Sequence, residues 1–175
     1  MSTSPDIGSE YITYSRRRLL QEYFPRIRQC LNQLSEEDVW WRPNEDSNSI
    51  GNLMLHLCGN VRQWLVHGIG GEQDARNRQT EFDERGPIPK NELLNKMKET
   101  LHSADEALKK FDSAKLLEMK HIQLYHLTYL DAISHVVEHF AQHTAQITYI
   151  TKLRKGGAVD FFGTYFPDRE SSSIP

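Results

Sequence analysis

Residues 128–155, TYLDAISHVVEHFAQHTAQITYITKLRK, decide the fold. Ile133, Val136, Val137, Phe140, Ala141 and Ile147 recur at the three-and-four spacing of one helix face, while Asp131, His135, Glu138, Gln142 and Gln146 take the opposite face. Thr128 or Asp131 suits an N-cap, and Gly156-Gly157 stops the run after Lys155. The pattern predicts one long amphipathic helix with His139 and His143 on the seam between its two faces.

Working outward, three further stretches carry the same periodicity. One runs from about Glu10 to Leu34 through Leu20, Phe24, Ile27 and Leu31, with Pro25 expected to kink or split it. A polar loop, Arg42 to Asn48, precedes a helix from near Ser49 to near Gly68, after which Gly70-Gly71 opens a long charged connection. Another helix follows Pro87-Ile88-Pro89, with Leu94, Met97, Leu101, Ala104, Leu108 and Phe111 as its stripe. Only Lys120 to Leu127 reads as extended. This predicts an all-α fold, an antiparallel four-helix bundle with long connections. The length of 175 residues suits one domain over 1–175, with a core at about 10–155 and a loose tail from Arg169 to Pro175.

Composition narrows the partners. Hydrophobic residues are 38% and charged residues 26% of the chain, and no apolar run approaches the roughly 18 to 20 residues that cross a bilayer, so a soluble protein with no membrane partner is expected. The N-terminus MSTSPDIGSE lacks the basic start and apolar stretch of a secretory signal, and the expected location is cytoplasmic. Cys30 and Cys58 form no CxxC pair, as fits reduced thiols. A net charge of −3 argues against a nucleic-acid partner, because such proteins present a basic face to phosphate. Arg16-Arg17-Arg18 does not supply one, since three adjacent helical residues point in three directions.

Histidine is the unusual component. Of eight in the chain, His121, His126, His135, His139 and His143 crowd one stretch. Residues four apart on a helix lie about 5 to 6 Å apart at Cβ, so His139 and His143 can converge on one metal ion. His135 also pairs with His139 by spacing, but it projects from the middle of the polar face. On the helix from Ser49, Ile50, Leu53, Met54, Leu57, Val61, Trp64 and Leu65 form the core stripe. The opposite arc holds Asn52, His56, Gly59, Asn60, Gln63 and His67 without a single charge. An arc of amides and imidazoles suits the wall of a polar cleft, and His56 is the expected third ligand for zinc, nickel or iron. His67 lies about 16 Å away by helix rise. Cys58 points to nearly the opposite side and is expected to be an inert packed thiol.

Three segments carry a resemblance: Leu34-Ser35-Glu36-Glu37 with Trp41-Arg42-Pro43; Ser49 to Leu57, SIGNLMLHL; and His139-xxx-His143-xx-Gln146-Ile147. In this order and on these helices the chain resembles the DinB-like superfamily, which includes the YfiT-like metal-dependent hydrolases and thiol S-transferases. The resemblance spans about residues 10 to 154, and residues 68–82 look like the signature of one branch. It implies a four-helix bundle, often a homodimer, with a solvent-open metal site on His56, His139 and His143. The chain departs from the commoner His-Arg-Gly-Gln ending in having His143-Thr144-Ala145-Gln146.

Three neutral imidazoles leave metal positions for water or substrate. The resemblance puts first the transfer of a low-molecular-weight thiol to a small electrophile; the alternatives are metal-dependent hydrolysis and a non-enzymatic metal-binding or sensing role. Asn52, Asn60, Gln63 and Gln146 are the expected substrate-orienting amides. Arg76 and Arg78 are expected either to grip the carboxylate or phosphate of a thiol or to pair with Asp74, Glu81 or Asp83. No protein general base is evident, since Glu138 points about 100° away from His139. Tyr11, Tyr14, Trp40 and Trp41 offer aromatic surface for a homodimer.

Overall fold

The structure, a computed structural model, describes residues 6–159 and 161; the expected loose tail lies outside the described residues. Helix α1 (Ile7–Arg17) begins at Asp6, whose side chain accepts from the Ser9 backbone N–H. The chain continues through a π-helical stretch, Arg18–Tyr23, into α2 (Phe24–Asn32). Pro25 explains the wider turn. Its ring cannot follow a tight α-helical turn, and the Phe24 N–H reaches back five residues to the Leu19 carbonyl. The expected split is thus a change of hydrogen-bond pattern within a continuous helical run.

Two short helices were not expected from periodicity. Helix α3 (Glu36–Trp40) is nucleated by a capping box in which Ser35 and Asp38 satisfy each other's backbone N–H groups, and it is too short to show a stripe. Helix α4 (Ile50–Val61) starts with the same device, Ser49 with Asn52, and continues as π-helical Arg62–His67. Helix α5 (Arg78–Asp83) lies inside the long charged connection. Helix α6 (Lys90–Lys110) follows Pro89, burying Leu93, Met97, Leu101 and Leu108 while Leu94 stays half-buried. Strands β1 (Met119–Ile122) and β2 (Tyr125–Thr128) form an antiparallel hairpin pairing His121 with His126, where extended backbone was expected. Helix α7 (Tyr129–Lys155) takes its capping box from Thr128 and Asp131 and ends at Gly156, whose φ of 71° is the left-handed C-cap that favours glycine.

Helix accounts for 68% of the structure, and the hairpin is the one sheet among the described residues, so the fold is of the all-α kind. No helix is long and apolar enough to cross a membrane. Helix α4 packs on α6 and α7, α2 on α7, and α1 on α6 and α7. The core they enclose includes Ile27, Leu31, Leu57, Leu101, Val136 and Phe140. Apolar burial of this extent is the dominant favourable term in folding. α4 and α7 are therefore held as rigid neighbours, and this brings His56 to the histidines of α7.

The aromatic residues expected at a dimer surface are partly used within the chain. The Tyr11 hydroxyl lies 2.6 Å from Ser134 Oγ and donates to the Leu130 carbonyl. Trp40 Nε1 donates to the Ile88 carbonyl. Its ring lies so close to Gly51 and Gly86 that a Cβ at either would approach it to 2.6 and 2.8 Å. Arg154 stacks on Trp41 at 4.9 Å, and Tyr14 remains exposed.

Candidate metal centre

His56 comes from the middle of α4, and His139 and His143 come from successive turns of α7. The Nε2 atom of His139 lies 3.0 Å from that of His56 and 3.1 Å from that of His143. All three ligand atoms fall within 4.8 Å of one another, a group that could hold a metal ion. Nitrogens bound tetrahedrally at about 2.0 to 2.1 Å from zinc stand roughly 3.3 Å apart, close to the two separations that His139 makes.

The second ring nitrogens show why a cation fits. His56 Nδ1 lies 2.9 Å from Glu81 Oε2, and a carboxylate can only accept, so Nδ1 carries the proton and donates. His143 Nδ1 likewise lies 2.6 Å from Gln146 Oε1. Both rings therefore turn Nε2 toward His139 Nε2. A neutral His139 can donate to only one of them, and its Nδ1 is buried with no partner. A divalent ion between the three rings would be a partner that all three nitrogens can share at once. The outer-shell partners then match those of metal-ligating histidines in general, whose other N–H meets a carboxylate or carbonyl oxygen.

Electrostatics points the same way. Burial, with the neighbouring His143, His56 and His135 rings adding to it, pushes His139 down to about 3. Burial also lowers His143 and His135. These three rings are neutral bases at neutral pH, as ligation requires. Burial pushes the Cys58 thiol up to about 12, which keeps it a packed thiol, as expected.

The connection after α4 supplies what periodicity could not reveal. Arg76 forms a fork on Glu81, Nε to Oε1 at 2.7 Å and Nη2 to Oε2 at 2.8 Å, and its Nη1 donates to Gln63 Oε1. Gln63 in turn donates to Asp74. Burial alone would raise Glu81, but hydrogen bonds from Arg76 and His56 more than offset it and hold the carboxyl below its usual range. Gln63, expected at the substrate, thus turns inward to this network, and Arg76 takes the second of its two expected roles, pairing with Glu81. Asn52 is committed too: it closes the Ser49 capping box and donates to the carbonyls of Glu81 and Glu84. Arg78 stays exposed with its guanidinium 4.8 Å from the Phe82 ring centroid, and Phe82 lies 4.7 Å from His56. Asn60 Nδ2 lies 3.2 Å from His135 Nε2, while Asn60 Oδ1 is buried without a partner. His135 packs at a tilt against Trp64 at 4.5 Å and stacks on His139 at 5.5 Å. It borders the cluster without joining it. His67, His102, His121 and His126 also lie outside it.

Reading by helix face found the three imidazoles but missed Glu81, which sits in a segment without periodicity. One signal was available: Gly59, in the interior of α4, lies where a Cβ would come within 1.9 Å of Glu81 Oε1.

A family profile described as "Protein of unknown function (DUF1572)" matches residues 6–162. None of the curated proteins compared with the chain matches it.

Proposed function

This chain belongs to the DUF1572 family, and we propose that it is a metal-dependent enzyme in which His56, His139 and His143 hold one divalent ion and a low-molecular-weight thiol is transferred to a small electrophile. The observation that carries this reading is the set of three imidazoles whose ligand nitrogens lie within 4.8 Å of one another. An ion there, zinc, nickel or iron, supplies a Lewis acid that lowers the pKa of a thiol. In the transfer, sulfur forms a bond to the electrophilic carbon, the leaving group departs with its electron pair, and the thiol proton passes to solvent.

Thiol transfer ranks above hydrolysis because the carboxylates around the cluster are engaged. Glu81 is bound by Arg76 and His56, and Asp74 by Gln63 and the Arg76 backbone N–H. Even on a metal, where its pKa falls toward about 7, a water gains from a base that takes its proton during attack. On this reading Arg78 grips a carboxylate of the thiol, Asn60 orients a polar group through its unpartnered oxygen, and Gln146 fixes His143. The helices are read as an antiparallel four-helix bundle in one cytoplasmic domain. It forms a homodimer and acts on a small molecule, with neither nucleic acid nor membrane as partner.

The test is an assay of metal-loaded protein with a panel of thiols and a chromogenic electrophile, beside ester substrates without thiol. Thiol-dependent turnover that vanishes in His139→Ala supports S-transfer. Thiol-independent ester cleavage favours the hydrolase, and silence in both arms favours a binding or sensing role.

A further inference from the structure

The Glu81–Arg76 pair is buried: Glu81 is 8% exposed and the Arg76 side chain 8%. Burying an ion pair is an inefficient way to pin a loop, because the desolvation of both charges offsets much of their attraction and apolar packing of equal volume does as well. What an apolar pair cannot do is accept the Nδ1 proton of His56. The helix also makes room for the carboxylate at Gly59, although glycine inside a helix is destabilising relative to alanine.

We propose that Glu81 is a positioning residue of the metal centre: lodged against Gly59 and oriented by Arg76, it holds His56 with Nε2 directed at the ion, and so couples metal binding to the docking of residues 74–83 on α4. The proposal rests on the three-histidine reading above. Its geometry is specific, since Oε2 takes both the His56 Nδ1 proton at 2.9 Å and the Arg76 Nη2 donor at 2.8 Å. Arg76 Nη2 also lies 3.1 Å from His56 Nδ1; two donors sharing one acceptor oxygen account for that approach. The far side of the pair borders a cavity of about 390 Å³ whose lining includes Cys58, Arg62 and Lys96. A displaced carboxylate can therefore move without the core being rebuilt.

The experiment uses the full chain and zinc alone, titrated against a chromogenic chelator, in wild type, Glu81→Gln, Gly59→Ala, Lys96→Met and His139→Ala. Circular dichroism checks that each variant folds. Glu81→Gln and Gly59→Ala are expected to bind zinc about 10-fold or more weakly and to shift the absorption bands of the cobalt-substituted protein, with Lys96→Met unchanged. If His139→Ala binds like wild type, or wild type binds no zinc, the metal reading itself fails. If wild type binds and His139→Ala does not, an affinity of Glu81→Gln within twofold of wild type overturns the positioning role alone. Should Glu81→Gln not fold, Gly59→Ala is judged by the same limits. Amide exchange over residues 74–83 of the wild type should slow on adding zinc, and unchanged exchange overturns the coupling.

Discussion

The Nε2 atoms of His56 and His139 stand 3.0 Å apart across 83 residues of sequence. Neither ring makes this contact to satisfy itself, since His56 already donates to Glu81 and His139 keeps a buried, unpartnered Nδ1. The packing of α4 on α7 therefore places ring nitrogens together at a point that could hold a metal ion.

One metal per chain is the direct expectation. His139→Ala removes the nitrogen shared by both short contacts and should weaken binding by orders of magnitude. His135→Ala and Cys58→Ala should leave the stoichiometry at one, because His135 lies outside the cluster and the Cys58 thiol is held protonated by burial. Metal analysis of protein purified without a nickel column gives the answer; complete loss of metal in either control would overturn the ligand set.

The lowered histidines fix how the chelated protein responds to acid. A base held below its unfolded value of about 6.5 leaves the native state unprotonated while the unfolded chain takes up protons, so stability is full above pH 6.5 and declines below it. For His139 the decline continues toward about 3. The limiting slope is about 1.4 kcal/mol per pH unit for each such histidine, and solvent screening of half-buried rings reduces it. Urea unfolding of metal-free protein should show a loss on the order of 1 kcal/mol between pH 7.5 and 5.5, with much of it absent in His139→Ala. Equal midpoints at the two pH values would mean that the rings titrate normally.

Assembly can be tested on surface that the chain leaves uncovered. With Tyr11 and Trp40 engaged internally, the exposed apolar residues of α7, Tyr149 and Leu153, at 65% and 54% exposure, are better candidates for an interface. Light scattering at micromolar concentration should give twice the chain mass of 20.4 kDa, and Leu153→Glu should shift it toward the single chain. A monomer throughout would remove the homodimer.

Trp40 offers a test of packing remote from the metal. Alanine at Gly51 improves helix propensity by about 1 kcal/mol, yet its Cβ would stand 2.6 Å from the Trp40 ring. Overpacking of that kind costs about 1 to 3 kcal/mol, and moving the ring also endangers the Nε1 bond to the Ile88 carbonyl. Gly51→Ala should therefore lower the melting temperature, and a rise would show that the ring has room to give.

What could be read before the structure depended on how local the cause was. Helix α7 was legible from Thr128 to Gly156 because caps and apolar spacing are sequence-neighbour effects. The His139 and His143 pair followed from one turn of helix, and His56 from the uncharged face of α4. Glu81 was not legible, because its contact with His56 spans 25 residues and crosses a connection without periodicity. The same absence hid the fate of Asn52 and Gln63, whose partners come from that connection or its ends, while pairing of Arg76 with Glu81 was one of two expected roles. An uncharged helix face turned out to be one on which a buried salt bridge from elsewhere settles.

Removing the metal distinguishes an open reactive centre from a structural one. α4 and α7 are joined by a continuous core that includes Leu57, Val136 and Phe140 and does not depend on the histidines, unlike small zinc domains in which ligation itself supplies the folding energy. Chelation should therefore leave the helical circular dichroism within a few per cent. The melting temperature should fall only by the binding linkage, about 2.7 kcal/mol when free metal stands at 100 times its Kd. The fall should grow with added metal rather than appear as a fixed step. Loss of helicity on chelation would make the ion a structural element and remove the main support for an open, reactive site.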